Sequence, residues 1–214
     1  MNHLSSVRWK VCGMRHAANM QEVARLAPDY MGFIFYEGSP RFVGKDFFIP
    51  DDFPAGVKRV GVFVNAAPGK MLRMVHKHRL DFVQLHGDEP VSVVQNLKAE
   101  GVKTIKVFRV DEQFNFSVTE AYRQSSDFFL FDTKGKHYGG NAVQFDWSLL
   151  QQYTGVVPFF LSGGISVQSL NDLRGLKHPQ LHAIDMNSGV ETEPGLKDVK
   201  KLNDLIESVS RLNI

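Results

Sequence analysis

Cysteine occurs once in this 214-residue sequence, at position 12, so no internal disulfide can form and the fold must rest on its core. No apolar run is long enough to cross a bilayer, which excludes a helical membrane span. The opening residues, MNHLSSVRWK, lack the apolar centre of a signal peptide, and a cytoplasmic location is expected. Neither sign of charge dominates: 25 Lys+Arg stand against 23 Asp+Glu, and the basic residues are scattered. Without a basic run there is no electrostatic footprint for nucleic acid. Metal-ligand spacing is missing too, since His76 and His78 lie two residues apart and would face different sides of a helix. No linker or low-complexity tract interrupts the chain.

What is present is an ordinary globular composition, 43% hydrophobic and 22% charged, long enough for one well-filled core. A single domain spanning 1–214 is expected. Short β-branched or aromatic runs alternate with longer stretches of helical spacing, the pattern of βα units around a parallel sheet. Eight strands are predicted: Val7 to Cys12, Tyr30 to Phe35, Arg59 to Val64, Phe82 to Leu85, Thr104 to Arg109, Phe128 to Asp132, Phe159 to Ser162 and Ala183 to Met186. Seven are followed by a reasonable helical stretch; the weakest helix, near Phe116 to Ser125, has poor formers and a short apolar stripe. Eight units in so short a chain favour an α/β fold of the closed TIM (β/α)8 barrel type, with an open doubly wound sheet as the alternative.

In a barrel the working face lies at the C-terminal ends of the strands, so the last residue of each run is the one to question. Cys12 ends the first run, on the parity of Arg8 and Lys10, which turns it toward the barrel axis. A lone cysteine is commonly a small buried hydrophobe, so position alone does not make it catalytic. Asp132 ends the sixth run in register with Phe128 and Leu130; an aspartate that continues an apolar column needs a reason, although a capping carboxylate is a plain alternative. For proton transfer, a thiol of reference pKa about 8.5 must ionise and a carboxyl of about 3.9 must hold its proton. Lys10 can favour the thiolate by its charge, and the apolar column can favour the neutral acid by desolvation.

The turns LSGGIS and MNSGV follow the seventh and eighth runs, where barrels often bind phosphate on backbone N–H groups. Gly163, Gly164, Asn187, Ser188 and Gly189 are the candidates there. Arg41, in GSPRFV, has a fork suited to a carboxylate, although a solvated loop arginine is the commoner case. His86, after VQL, can hydrogen-bond a ligand.

In order and spacing these segments resemble the phosphoribosylanthranilate isomerase family. The matching stretches are KVCGM, GFIFYEGSPRFV, GVFVN, VQLHGDEP, FDTKGKHYGG with FDWSLL, LSGGIS and DMNSGVETEPGLKD, running from Lys10 to about Asp198. The resemblance implies a cofactor-free Amadori rearrangement of a small phosphosugar in tryptophan biosynthesis, by a monomer or homodimer. It implies Asp132 as the acid that opens the furanose and Cys12 as the base that takes the C2 proton. It also implies Arg41 on the anthranilate carboxylate, His86 and Asp185 lining the site, and the two glycine turns on the phosphate. Two departures stand out. Asn187 replaces a common serine but can still donate through its amide. Asn141 and Ala142 replace a common Ser-Gly pair in a loop that would close over substrate. Another phosphosugar isomerase or epimerase is the rival enzyme reading, and a non-catalytic barrel that binds a phosphorylated metabolite is the rival of another class.

Overall fold

The computed structural model describes residues 7–134 and 145–211; the loop carrying Asn141 and Ala142 lies outside them. Eight strands close into one parallel barrel in sequence order: β1 (Arg8–Val11), β2 (Tyr30–Ile34), β3 (Lys58–Phe63), β4 (Phe82–Leu85), β5 (Lys103–Val110), β6 (Phe128–Thr133), β7 (Phe159–Leu161) and β8 (Leu181–Met186). β1 pairs with both β2 and β8, which closes the ring and rules out the open sheet. A small antiparallel hairpin follows, β9 (Glu191–Glu193) with β10 (Leu196–Lys197).

The side-chain period of two sorts each strand into an inward and an outward face. Inward positions Tyr30, Val60, Phe82, Ile105, Val107, Leu130, Phe160 and Ala183 fill the barrel as one apolar cluster. Edge-on ring contacts lock it, with centroids 5.0 Å apart for Tyr30–Phe160 and 5.3 Å for Phe128–Phe160. Outward residues such as Phe33, Phe63, Leu85 and Phe131 build the larger core beneath the outer layer. The lower mouth is fastened by a recurring device. The carboxylates of Asp29, Asp81 and Asp127, each just before an aromatic strand start, accept from the backbone N–H of Trp9, Arg59 and Thr104 on the preceding strand.

A register shift between Phe159 and Phe160 in the β7–β8 pairing places His182 at that mouth, where its Nε2 lies 2.8 Å from the Tyr30 hydroxyl. Its ring packs against Phe128 and Phe160. Burial, reinforced by Arg8, lowers its pKa to about 4. The unfolded chain therefore protonates this histidine first, near pH 6.5, so its stabilising contribution is complete above that value and is lost as pH falls toward 4. Replacing His182 with Phe is expected to flatten the decline of thermal midpoint across that window. An unchanged slope would show that other groups govern acid unfolding.

The outer layer departs from expectation. Helices α1 (Ala17–Ala24), α2 (Pro68–His78), α3 (Val91–Ala99), α4 (Leu170–Gly175) and α5 (Val199–Ser210) follow β1, β3, β4, β7 and β8. No helix follows β2: residues 35–57 contain Pro40, Pro50 and Pro54 with Gly38, Gly44 and Gly56, which remove donors and favour turns. Phe47 and Phe53 of this segment cover the sheet instead, their rings 5.5 and 6.1 Å from Phe33. After β5 and β6 the described residues form only 3-10 turns, Phe116–Tyr122 and Trp147–Gln152. The first of these agrees with the weak helix expected there.

Glu89, at the end of the HGDE segment after β4, has a structural role. The buried Glu89 carboxylate accepts from the N–H groups of Asn65 and Gly87 and pairs with the buried Lys106 ammonium at 2.9 Å. Removing one partner of such a pair typically costs about 3–5 kcal/mol, so this anchor fixes the loops above β3 and β4.

Candidate active site

At the C-terminal mouth the strand ends surround one cavity, about 750 Å³ including its open top. Cys12, Arg41, His86, Asp132, Gly163, Gly164, Asp185, Asn187, Ser188 and Gly189 all line it. Every site residue expected from the sequence is thus brought together, from β1 through β8. Gln84, Tyr36, Ser39 and Thr133, which sequence reasoning passed over, line it as well. Gln84 had a signal, since it shares the inward parity of Phe82.

Cys12 sits just past β1, its backbone N–H donating to Met186 in continuation of the ladder. Its thiol occupies the space left by Gly32 on β2, where a Cβ would stand 2.7 Å from Sγ. Below it the fully buried Lys10 ammonium pairs with Asp185 at 2.8 Å, in register across β1 and β8. Burial works against the Lys10 charge, but Asp185 and Cys12 outweigh it, and Lys10 stays protonated. Burial pushes the Cys12 thiol up, against the pull of Lys10, and Asp185 adds to the rise. Lys10 thus lowers the thiol as expected, but burial outweighs it, and the thiol is pushed toward its neutral form. Burial likewise raises the Asp185 carboxyl, against Lys10, and its Oδ1 is buried with no hydrogen-bond partner among the described residues.

Asp132 ends the inward column of β6. Its Oδ1 accepts from the Thr133 N–H at 2.9 Å, so it is not a helix cap. Its Oδ2 lies 3.2 Å from His86 Nε2, close but without hydrogen-bond alignment. On the far side of the ring, His86 Nδ1 is 3.0 Å from the Gln84 amide nitrogen. Acid and thiol thus rise from strands well apart around the ring and meet over one space.

The remaining wall consists of two turns. Gly163 and Gly164 both have positive φ, +88° and +74°, and a Cβ on Gly163 would collide with Thr133. Gly189 packs so closely on the Ile165 carbonyl that it too has no room for a Cβ. Both turns present bare main chain to the cavity, the surface from which peptide N–H groups bind anions. Asn187 directs Oδ1 to the buried Lys197 ammonium at 2.8 Å. Arg41 is not a solvated loop arginine: it is 7% exposed, and its Nε and Nη2 grip Glu191. Glu191 and Lys197 gave no sequence signal beyond lying in the DMNSGVETEPGLKD stretch. Among the described residues no cluster of His, Cys, Asp and Glu could hold a metal ion, and no helix is long and apolar enough to cross a membrane.

Comparison with known proteins agrees with the barrel fold. Residues 9–208 match the model of the N-(5'phosphoribosyl)anthranilate (PRA) isomerase family. The N-(5'-phosphoribosyl)anthranilate isomerase of Parabacteroides distasonis is 43% identical, over 94% of this chain and 92% of its own length. The crystal structure of phosphoribosyl anthranilate isomerase from Thermotoga maritima superposes with a TM-score of 0.81 at 32% identity, over 95% of this chain and 98% of its own. A further solved isomerase, in complex with reduced 1-(o-carboxyphenylamino)-1-deoxyribulose 5-phosphate, matches with a TM-score of 0.79 at 30% identity, over 95% and 98% of the two chains. A barrel closed over the whole described chain, a thiol and a carboxyl at its mouth, and relatives matched along nearly their full length lead to one assignment: the chain belongs to the phosphoribosylanthranilate isomerase family.

Proposed function

We propose that Asp132 and Cys12 are the acid and base with which this isomerase converts N-(5-phosphoribosyl)anthranilate to 1-(2-carboxyphenylamino)-1-deoxyribulose 5-phosphate. The observation that carries the reading is that both groups face one cavity walled by two bare glycine turns. Asp132 delivers a proton to the ring oxygen. The C1–O bond breaks as the aniline nitrogen's lone pair forms a C1=N iminium. Cys12 then removes the C2 proton, the C–H electrons form C1=C2, and the iminium electrons return to nitrogen. The resulting enolamine tautomerises to the ketone, with protonation at C1. Its unpartnered Oδ1 suits Asp185 to a sugar hydroxyl, and His86 beside Oδ2 suits it to steadying the Asp132 carboxylate once its proton has gone. Gly163, Gly164, Ser188 and Gly189, with Asn187, would hold the phosphate; Arg41 would hold the aryl carboxylate. The family match over 9–208 supports one catalytic domain.

Two measurements check this reading. The purified protein is expected to consume phosphoribosylanthranilate, seen as loss of its anthranilate fluorescence; a properly folded sample without turnover would refute it. Gly189→Ala is expected to press the eighth-strand turn off the Ile165 carbonyl and raise KM about tenfold, equivalent to about 1.4 kcal/mol of binding. A KM indistinguishable from that of the unsubstituted enzyme would take the phosphate away from these turns.

A further inference from the structure

Arg41, Glu191 and Lys197 form a buried charge cluster at one edge of the cavity. Glu191 Oε1 accepts from Arg41 Nε at 3.0 Å, Lys197 Nζ at 2.6 Å and the Gly195 N–H at 3.0 Å. Oε2 accepts from Arg41 Nε at 3.0 Å and from Nη2 at 2.7 Å. The carboxylate is 5% exposed and the Lys197 side chain fully covered. Burial opposes the charge on Glu191, yet the bonds from Arg41 and Lys197 outweigh it and hold its pKa below the usual carboxylate range. Lys197 is pinned in turn by the Asn187 carbonyl and side-chain oxygens, and its backbone is clasped by Asn19 from α1.

Two consequences follow. The Arg41 guanidinium, always charged, shares its Glu191 carboxylate with Lys197, whose own pKa burial lowers, in a place where charge is costly unless paired, so Arg41 can take a second anion. In addition, a guanidinium held side-on through Nε and Nη2 leaves Nη1 and the outer N–H of Nη2 outside that pairing, a planar edge matched to a second carboxylate on a residue that lines the cavity.

We propose that Glu191 is a specificity-determining positioning residue: by fixing the guanidinium of Arg41 side-on, with Lys197 behind it, it aims the free edge of Arg41 at the substrate's aryl carboxylate. Glu191 itself touches no reacting atom. The inference rests on the isomerase reading above, and deepens it by naming what orients the carboxylate subsite.

The test compares Glu191→Gln with the unsubstituted enzyme on phosphoribosylanthranilate and on N-(5-phosphoribosyl)aniline, which lacks the carboxylate. For the carboxylated substrate KM is expected to rise roughly 10- to 100-fold, the range set by one hydrogen bond to a charged group, with kcat nearly unchanged. For the aniline analogue the two enzymes should differ by less than about threefold, well under one such hydrogen bond. A cluster that merely stabilised the fold would weaken both substrates alike, and that result overturns the proposal. Glu191→Asp keeps the negative charge but shortens its reach, which breaks the two-oxygen grip on Arg41. It should show the same selective rise, so the proposal stays testable if the amide variant does not fold. The unsubstituted enzyme on the carboxylated substrate is the control for the isomerase reading: its turnover with no selective effect of either substitution would sink the role of Glu191 alone.

Discussion

Cys12→Ser is expected to lower kcat by about 10² to 10⁴, the range associated with losing a general base, while the thermal midpoint moves little. Serine fits the space that Gly32 leaves above β2, so the barrel mouth keeps its packing. What changes is the chemistry: a hydroxyl does not ionise in the range where a thiol does. The same environment gives the unsubstituted enzyme a pH signature. Burial raises the Cys12 thiol, so the basic form becomes scarcer at neutral pH, and the limb of the kcat/KM profile that reports Cys12 should lie above the ordinary thiol value of about 8.5. Lys10 and Lys197 limit the rise, but each is already committed, to Asp185 and to Glu191. Steady-state kinetics across pH check both expectations. Full turnover by the serine variant would remove Cys12 from the mechanism.

Asp132→Asn is expected to reduce kcat by a comparable factor, about 10² to 10⁴, with affinity for a reduced product analogue kept within a few-fold. The amide oxygen can still accept from the Thr133 N–H, so the side chain keeps its seat. Its nitrogen then occupies the place of Oδ2 beside His86 and cannot supply the proton that opens the ring. Analogue titration separates the two effects. Loss of binding in step with loss of rate would recast Asp132 as a binding residue.

The strands were legible because each is a short β-branched or aromatic run whose parity reports which face is inward. Cys12 and Asp132 became candidates on that parity, and Gln84 shared it. The outer layer was less legible. The segment after β2 is among the stretches expected to be helical, yet its prolines and glycines make it an irregular cover held by Phe47 and Phe53. Least legible were the charge partners. Lys10 and Asp185 lie 175 positions apart and Arg41 and Glu191 lie 150 apart, and they meet only because the barrel closes. That closure also corrected the electrostatics. From sequence Lys10 stood beside a thiol as its activator; in three dimensions Lys10 still pulls the thiol down, but burial outweighs it and the thiol rises.

The most direct test of the acid and base assignments is the kinetic isotope effect on kcat/KM with substrate deuterated at C2, measured for the unsubstituted enzyme, Cys12→Ser and Asp132→Asn. If Asp132 opens the ring before Cys12 takes the C2 proton, weakening the base makes C–H cleavage limiting, and the isotope effect should grow in Cys12→Ser. Weakening the acid makes ring opening limiting, and the effect should shrink toward unity in Asp132→Asn. An isotope effect unchanged by the serine substitution, or enlarged by the asparagine one, would contradict the division of labour assigned to this pair.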